Sequence, residues 1–160
     1  MDIARTVPME LDLEAELLGA YPLLARRLTV VLHDPDEAQD VAQSAFARAL
    51  ERRHQFRGGD VRAWLYTIGI RLALNEVRRR GRLVALGDQP EPSWAMASEP
   101  DLWLALAQLD SPQRAALVLA TLDGYTHAEI AGILGVREGT VSSWLSRSKD
   151  RLRAVLGEDR

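Results

Sequence analysis

The 160-residue chain is 47% hydrophobic and carries a formal net charge of -3, enough apolar content for a packed core and against global disorder. It has no Cys, which excludes disulfides, thiolate metal sites and thiol nucleophiles and fits a reducing compartment. The charge is segregated: residues 1–43 hold nine acids against three Arg, residues 44–82 ten Arg against three acids, and residues 83–110 five acids and no base. Local positive surface, rather than a positive total, is what nucleic-acid binding needs. Solvation of helix faces explains such runs equally well from composition alone.

In chain order, nearly every segment reads as helix, and the expected class is all-α. The N-terminus "MDIARTVPMELDLEAELL" is acidic and lacks an apolar h-region, so no signal peptide is expected. No apolar run approaches the roughly 20 residues that span a bilayer, so no membrane insertion and a soluble, cytoplasmic protein are expected. "LDLEAELLGAYPLLARRLTVVLHD" has helical spacing, with Pro22 predicted to bend or break it. The next helix opens at Asp34 as cap, with Pro35 at the first helical position and Glu37 where a capping box wants its acid. On it Asp36, Asp40 and Gln43 share a stripe edged by Phe46. That stripe is either solvated or a protein-binding face.

Gly58-Gly59 predicts a loop before the helix "VRAWLYTIGIRLALNEVRRRGR". There Trp64, Arg71, Asn75, Arg78 and Arg82 fall on one side. Basic residues with an aromatic suit opened nucleic acid, where phosphates need charge and unstacked bases a flat surface; Trp64 on its own reads as core. The run Arg78-Arg79-Arg80 strengthens the nucleic-acid reading. "GRLVALGDQPEPSWAMASEP" then marks a flexible linker by its Pro, Gly and Ser. Two small helical domains are expected, 1–82 and 101–160, joined by 83–100.

In the second domain Ser111-Pro112 starts a helix, and Thr126 with Glu129 forms a capping box. "THAEIAGILGVREGTVSSWLSRSKDRL" has the shape of a helix-turn-helix. Gly135 ends the first helix in the left-handed region, and Val136 packs into the corner. Val141, Leu145 and Leu152 anchor the second helix, and Ser143, Ser146, Arg147 and Asp150 lie opposite. That is how a recognition helix is offered to the major groove, where Arg bonds guanine bidentately. Trp144 reads as burial against the first helix. No His–carboxylate pair, Gly-rich phosphate loop or metal spacing appears, and His33, His54 and His127 are scattered, so neither catalysis nor a cofactor is expected.

From about Leu17 to Leu156 the chain resembles the extracytoplasmic-function (group 4) sigma factors of bacterial RNA polymerase. "DPDEAQDVAQSAFARALERR" is similar to their core-polymerase-binding helix, with a D-x-x-x-D-x-x-Q-x-x-F spacing at Asp36, Asp40, Gln43 and Phe46. "FRGGDVRAWLYTIGIRLALNEVRRR" resembles the segment that opens and reads the −10 element. "LDSPQRAALVLATLDGYTHAEIAGILGVREGTVSSWLSRSKDRLRAVL" resembles the −35-binding domain. The resemblance implies docking on the polymerase β′ clamp and β flap and binding of promoter DNA, with an anti-sigma factor as a further partner. It implies −10 contacts from His54, Phe56, Arg57, Asp60, Trp64, Arg71, Asn75, Arg78 and Arg79. It implies −35 contacts from Arg137, Thr140, Ser142, Ser143, Ser146, Arg147 and Lys149. The linker, reaching at most roughly 65 Å when extended, would thread the polymerase channel.

The chain departs from the family's usual pattern. Arg71 stands where Asn is common and Asn75 where Asp is common. Arg137, Ser142 and Trp144 replace the cap Ser, Lys and Arg of the usual recognition helix, which removes a cap worth about 1 kcal/mol and two phosphate contacts. The alternatives are a response-regulator-like or repressor-type helix-turn-helix regulator, which leaves the Asp36–Phe46 stripe unexplained, and a degenerate decoy that holds polymerase or an anti-sigma factor.

Overall fold

The structure, a computed structural model, describes the backbone of residues 3–84 and 100–157, with side chains from 12 to 81 and from 100 to 157. Seven α-helices and one 3-10 turn make up these residues, and no strand occurs among them. In order they are α1 (Ile3–Leu32), α2 (Pro35–Glu51), the turn Arg53–Gln55, α3 (Val61–Val84), α4 (Pro100–Leu106), α5 (Ser111–Thr121), α6 (His127–Leu134) and α7 (Glu138–Leu156). Most of the expected linker, and the Arg82 side chain, lie outside the described residues.

Helix α1 runs through Pro22 without ending, contrary to the predicted break. Proline removes one backbone bond, here the one that Leu18 would accept. Pro22 is exposed and Leu18 is 61% exposed, so water can solvate the carbonyl left over.

Helix α2 begins as expected at Asp34, whose carboxylate accepts from the Asp36 and Glu37 amides at 3.0 and 3.3 Å. Glu37 does not close a capping box. It forms an ion pair with Arg80 of α3 instead.

Buried Ala38, Ala42, Ala45 and Ala49 face the rest of the bundle. Their small side chains let α1, α2 and α3 pack closely around Leu17, Leu24, Leu28, Leu65, Tyr66 and Ile70. Gly69 marks the tightest approach, since a Cβ there would sit 2.8 Å from a Leu24 methyl.

The second helical unit, α4–α7, closes around Leu119, Ile130, Val141 and Leu145. Thr126 and Glu129 cap α6 reciprocally, at 3.2 and 3.1 Å. Gly135 ends it at φ 69, a conformation that costs glycine little.

The two units are packed on each other. Helix α5 lies on α1, α6 lies on α3, and the buried apolar residues of both form one continuous cluster.

Candidate nucleic-acid interface

Three sets of side chains were expected to carry function, and the fold distributes them over three surfaces. On α2, Asp36, Asp40 and Gln43 are exposed along one stripe, opposite the alanines that bury. Phe46 is half-buried at its edge and meets Tyr21 of α1 edge-on, with ring centroids 5.6 Å apart. A negative, hydrogen-bonding strip bordered by two aromatics is an arrangement that can dock a basic protein surface.

The second set surrounds the turn between α2 and α3. His54, Arg57 and Asp60 are exposed. Phe56 is half-buried and stands 5.3 Å from Trp64, their planes tilted by 53°. Trp64 thus serves partly as core, packed against the buried cluster, and partly as surface. A cleft of about 800 Å³ opens beside this turn, lined by the apolar Leu13, Leu50, Phe56 and Val61 and by charged groups of both signs, Asp12, Glu16 and Glu51 with Arg53, His54 and Arg57. Asp60 also caps α3, its Oδ1 accepting from the Ala63 amide at 3.1 Å.

Further along α3 the basic residues part company. Asn75 and Arg78 are exposed, Arg79 pairs with Glu76 on its own helix, and Arg80 pairs with Glu37. Arg71 reaches into the second unit. Its Nε donates to the Ile133 carbonyl at 3.0 Å and its Nη2 to the Gly132 carbonyl at 2.9 Å. Those carbonyls belong to the last turn of α6, which has no intrahelical donors for them, so Arg71 caps another helix.

The third set lies on α7. Ser142, Ser143, Ser146, Arg147 and Lys149 are exposed, while Val141 and Leu145 are buried beneath them. Ser142 Oγ is 2.9 Å from His127 Nδ1, which ties the start of α6 to α7. Thr140 is half-buried, and Arg137 occupies the N-cap of α7 without a side-chain capping bond. Trp144 is half-buried against the core beside them.

Reasoning from sequence missed a polar cluster that joins the two units. Arg27 donates twice to Asp123, at 2.9 and 3.0 Å, and Tyr66 Oη donates to the same carboxylate at 3.3 Å. Tyr125 Oη donates to Asp60 at 2.9 Å and accepts from Arg62 Nε at 3.2 Å. The hydrogen bond to Asp123 raises the Arg27 pKa above its usual value, and burial, reinforced by Asp123, raises that of the Tyr66 phenol.

A second arginine mirrors Arg71. The Arg114 guanidinium is buried and donates to the Val31 carbonyl near the end of α1, at 3.2 and 2.8 Å, and to the Leu106 and Leu109 carbonyls. Burial lowers its pKa, but an arginine stays charged in proteins. Nothing in the local sequence singles out Arg27, Arg114 or Asp123, because their partners lie far away in the chain.

The described residues are all helical, with a helix-turn-helix whose second helix, α7, turns polar and basic side chains to solvent and with exposed basic residues on α3, the layout of a DNA-binding protein of transcription. Residues 19–83 match the family model for Sigma-70 region 2, and residues 101–152 match Sigma-70, region 4. The ECF RNA polymerase sigma factor EcfG of Rhodopseudomonas palustris is 30% identical over 96% of this chain and 90% of its own length. SigE of Mycolicibacterium smegmatis is 33% identical over 84% of this chain, and the match spans 56% of that protein. The sigma factor RpoE of Bartonella quintana, solved in complex with the anti-sigma factor NepR, is 30% identical; the likeness covers 93% of this chain and 99% of that one at a TM-score of 0.79. The chain therefore belongs to the ECF RNA polymerase sigma factors. No described helix is long and apolar enough to cross a membrane.

Proposed function

We propose that this protein is a promoter-specificity factor that binds core RNA polymerase and directs it to its promoters, acting in the cytoplasm and without catalysis of its own. The observation that carries this reading is the order of the two matched regions along a chain related to EcfG over nearly its whole length. The exposed Asp36–Asp40–Gln43 stripe with Phe46 serves as the polymerase-docking face toward the β′ clamp, and the C-terminal unit meets the β flap. His54, Phe56, Arg57, Asp60, Trp64, Arg71, Asn75, Arg78 and Arg79 hold the opened −10 strand. The cleft beside Phe56 is large enough for an unstacked base, with His54 and Arg57 among the residues that line it. Arg137, Thr140, Ser142, Ser143, Ser146, Arg147 and Lys149 face the −35 duplex.

An anti-sigma factor is a fitting further partner, because the Bartonella relative was solved with one. The division into domains 1–82 and 101–160 with a linker between them belongs to the same reading. A decoy or a repressor-type regulator accounts less well for the α2 stripe.

Run-off transcription by purified core polymerase on a genomic promoter library tests the proposal. Discrete transcripts that appear only when this protein is added are the expected result. Their absence, with polymerase binding intact, would favour the decoy.

A further inference from the structure

Ser142 and His127 meet where the first helix of the helix-turn-helix begins. Ser142 lies on α7 four residues before Ser146, on an exposed flank that also carries Lys149. His127 is the first residue of α6 and is exposed as well. The two side chains are joined Oγ to Nδ1 at 2.9 Å. A hydroxyl on a helix has a nearer partner. Thr29, Thr67 and Thr121 each turn back and donate to the carbonyl four residues earlier, at 2.9, 2.8 and 2.6 Å. For Ser142 that carbonyl belongs to Glu138, at the start of α7, yet its hydroxyl bonds His127 instead. Ser143 and Ser146 have no such side-chain bond among the described residues.

We propose that His127 is a positioning residue for −35 recognition, which draws the Ser142 hydroxyl off its own helix backbone and holds it at the DNA-facing surface. The inference rests on the reading of α7 as the helix that meets the −35 duplex. A serine in a helix divides its hydroxyl between the carbonyl four residues back and any outside partner. Bonding back uses its only proton and turns the oxygen along its own helix, away from a base edge or a phosphate. One bond to His127 leaves the hydroxyl with capacity for a DNA partner, since it has one proton and two lone pairs. It also fixes the side chain before DNA arrives, so less rotamer freedom is lost on binding. The anchor is itself held. The reciprocal Thr126–Glu129 bonds, at 3.2 and 3.1 Å, fix the first turn of α6 from which the imidazole projects. The Gly135 and Val136 amides both return to the Ala131 carbonyl, at 2.9 and 3.1 Å, so the corner that sets α6 against α7 is fixed too. The distance between His127 and Ser142 is therefore set by backbone bonds rather than by two loose side chains.

The test uses the full chain and the duplexes it selects from a randomised pool. His127→Phe keeps a ring and removes both nitrogens. It is expected to weaken binding to those duplexes about fivefold, the loss of one hydrogen bond. Ser142→Ala should cost about the same, and the two changes together no more than either alone, because the pair acts as one unit. His127→Asn, whose amide reaches where Nδ1 stands, is expected to keep the parental affinity. His127→Gln, whose amide reaches toward the Nε2 position, is expected to lose it. In the free protein, vicinal couplings measured by nuclear magnetic resonance should give Ser142 one χ1 rotamer in the parent and a changed or mixed one in His127→Phe. Affinity that His127→Phe leaves unchanged would overturn the proposal. Additive losses, or affinity kept by His127→Gln and lost by His127→Asn, would mean that His127 touches DNA itself and would overturn the positioning role. A Ser142 rotamer indifferent to His127→Phe would overturn the anchor. If the rotamer shifts but the parent selects no duplex sequence, the reading of α7 fails instead. Equal melting temperatures of parent and variants guard against misfolding.

Discussion

Arg27 and Asp123 form a two-point ion pair between α1 and the turn after α5, with the Asp123 carboxylate 1% exposed and Arg27 12% exposed. Bidentate geometry and the added Tyr66 hydroxyl satisfy the carboxylate, which is what a charge removed from water requires. Removing one partner leaves the other buried and uncompensated. Asp123→Ala is therefore expected to destabilise the docked form by about 3 kcal/mol. Urea unfolding followed by circular dichroism and by tryptophan fluorescence checks this. The parent should unfold in one transition, and the variant at lower urea, with the two probes no longer coincident.

His33 ends α1 at φ 56 and stacks on Trp103 of α4, ring centroids 3.8 Å apart. Burial, with Arg114 nearby, holds its pKa below the ordinary imidazole value. The neutral ring is thus the folded form's preference. Its contribution is fully present above the unfolded value of about 6.5 and is lost as pH falls through the lowered folded value. Stability measured from pH 7.5 to 5 should decline more steeply in the parent than in His33→Asn, which cannot titrate. Parallel curves would show that another group governs the acid limb.

Phe46 meets Tyr21 at the edge of the acidic stripe and is only half-buried in the free protein. An aromatic anchor at a partner interface commonly contributes about 2 kcal/mol or more. Phe46→Ala should weaken binding to core polymerase roughly 30-fold, as measured by calorimetric titration. The far-ultraviolet spectrum should be unchanged. Undiminished affinity would remove α2 from the polymerase interface.

Arg147 stands clear of the core on α7, above buried Val141 and Leu145. Bidentate Arg–guanine contacts discriminate by about 1–3 kcal/mol. Arg147→Ala is expected to flatten base preference at one position of the −35 element in selection from a randomised duplex pool, with the melting temperature unchanged. Changes at Lys149 should weaken every sequence alike and reduce the salt dependence, the signature of a phosphate contact.

The parts of this molecule that were legible in the sequence are those written within a few residues of chain. Asp34 caps α2, Thr126 and Glu129 cap α6, Gly135 turns the helix-turn-helix, and Val141 and Leu145 bury while Ser143 and Arg147 do not. Each depends on helical periodicity or on a bond to a backbone group up to four residues away, so the local string determines it. Tertiary structure alone decided the rest. Arg71 bonds residues 61 and 62 positions on, Arg114 one 83 positions back, and Arg27 one 96 positions on. A basic residue on a helix has the same local signature whether it meets phosphate, water or the end of a distant helix. Only the packing of α5 on α1 and of α6 on α3 brought orphan carbonyls and a buried carboxylate within reach, and so turned arginines of unassigned or DNA-facing character into the bonds that hold the two units together.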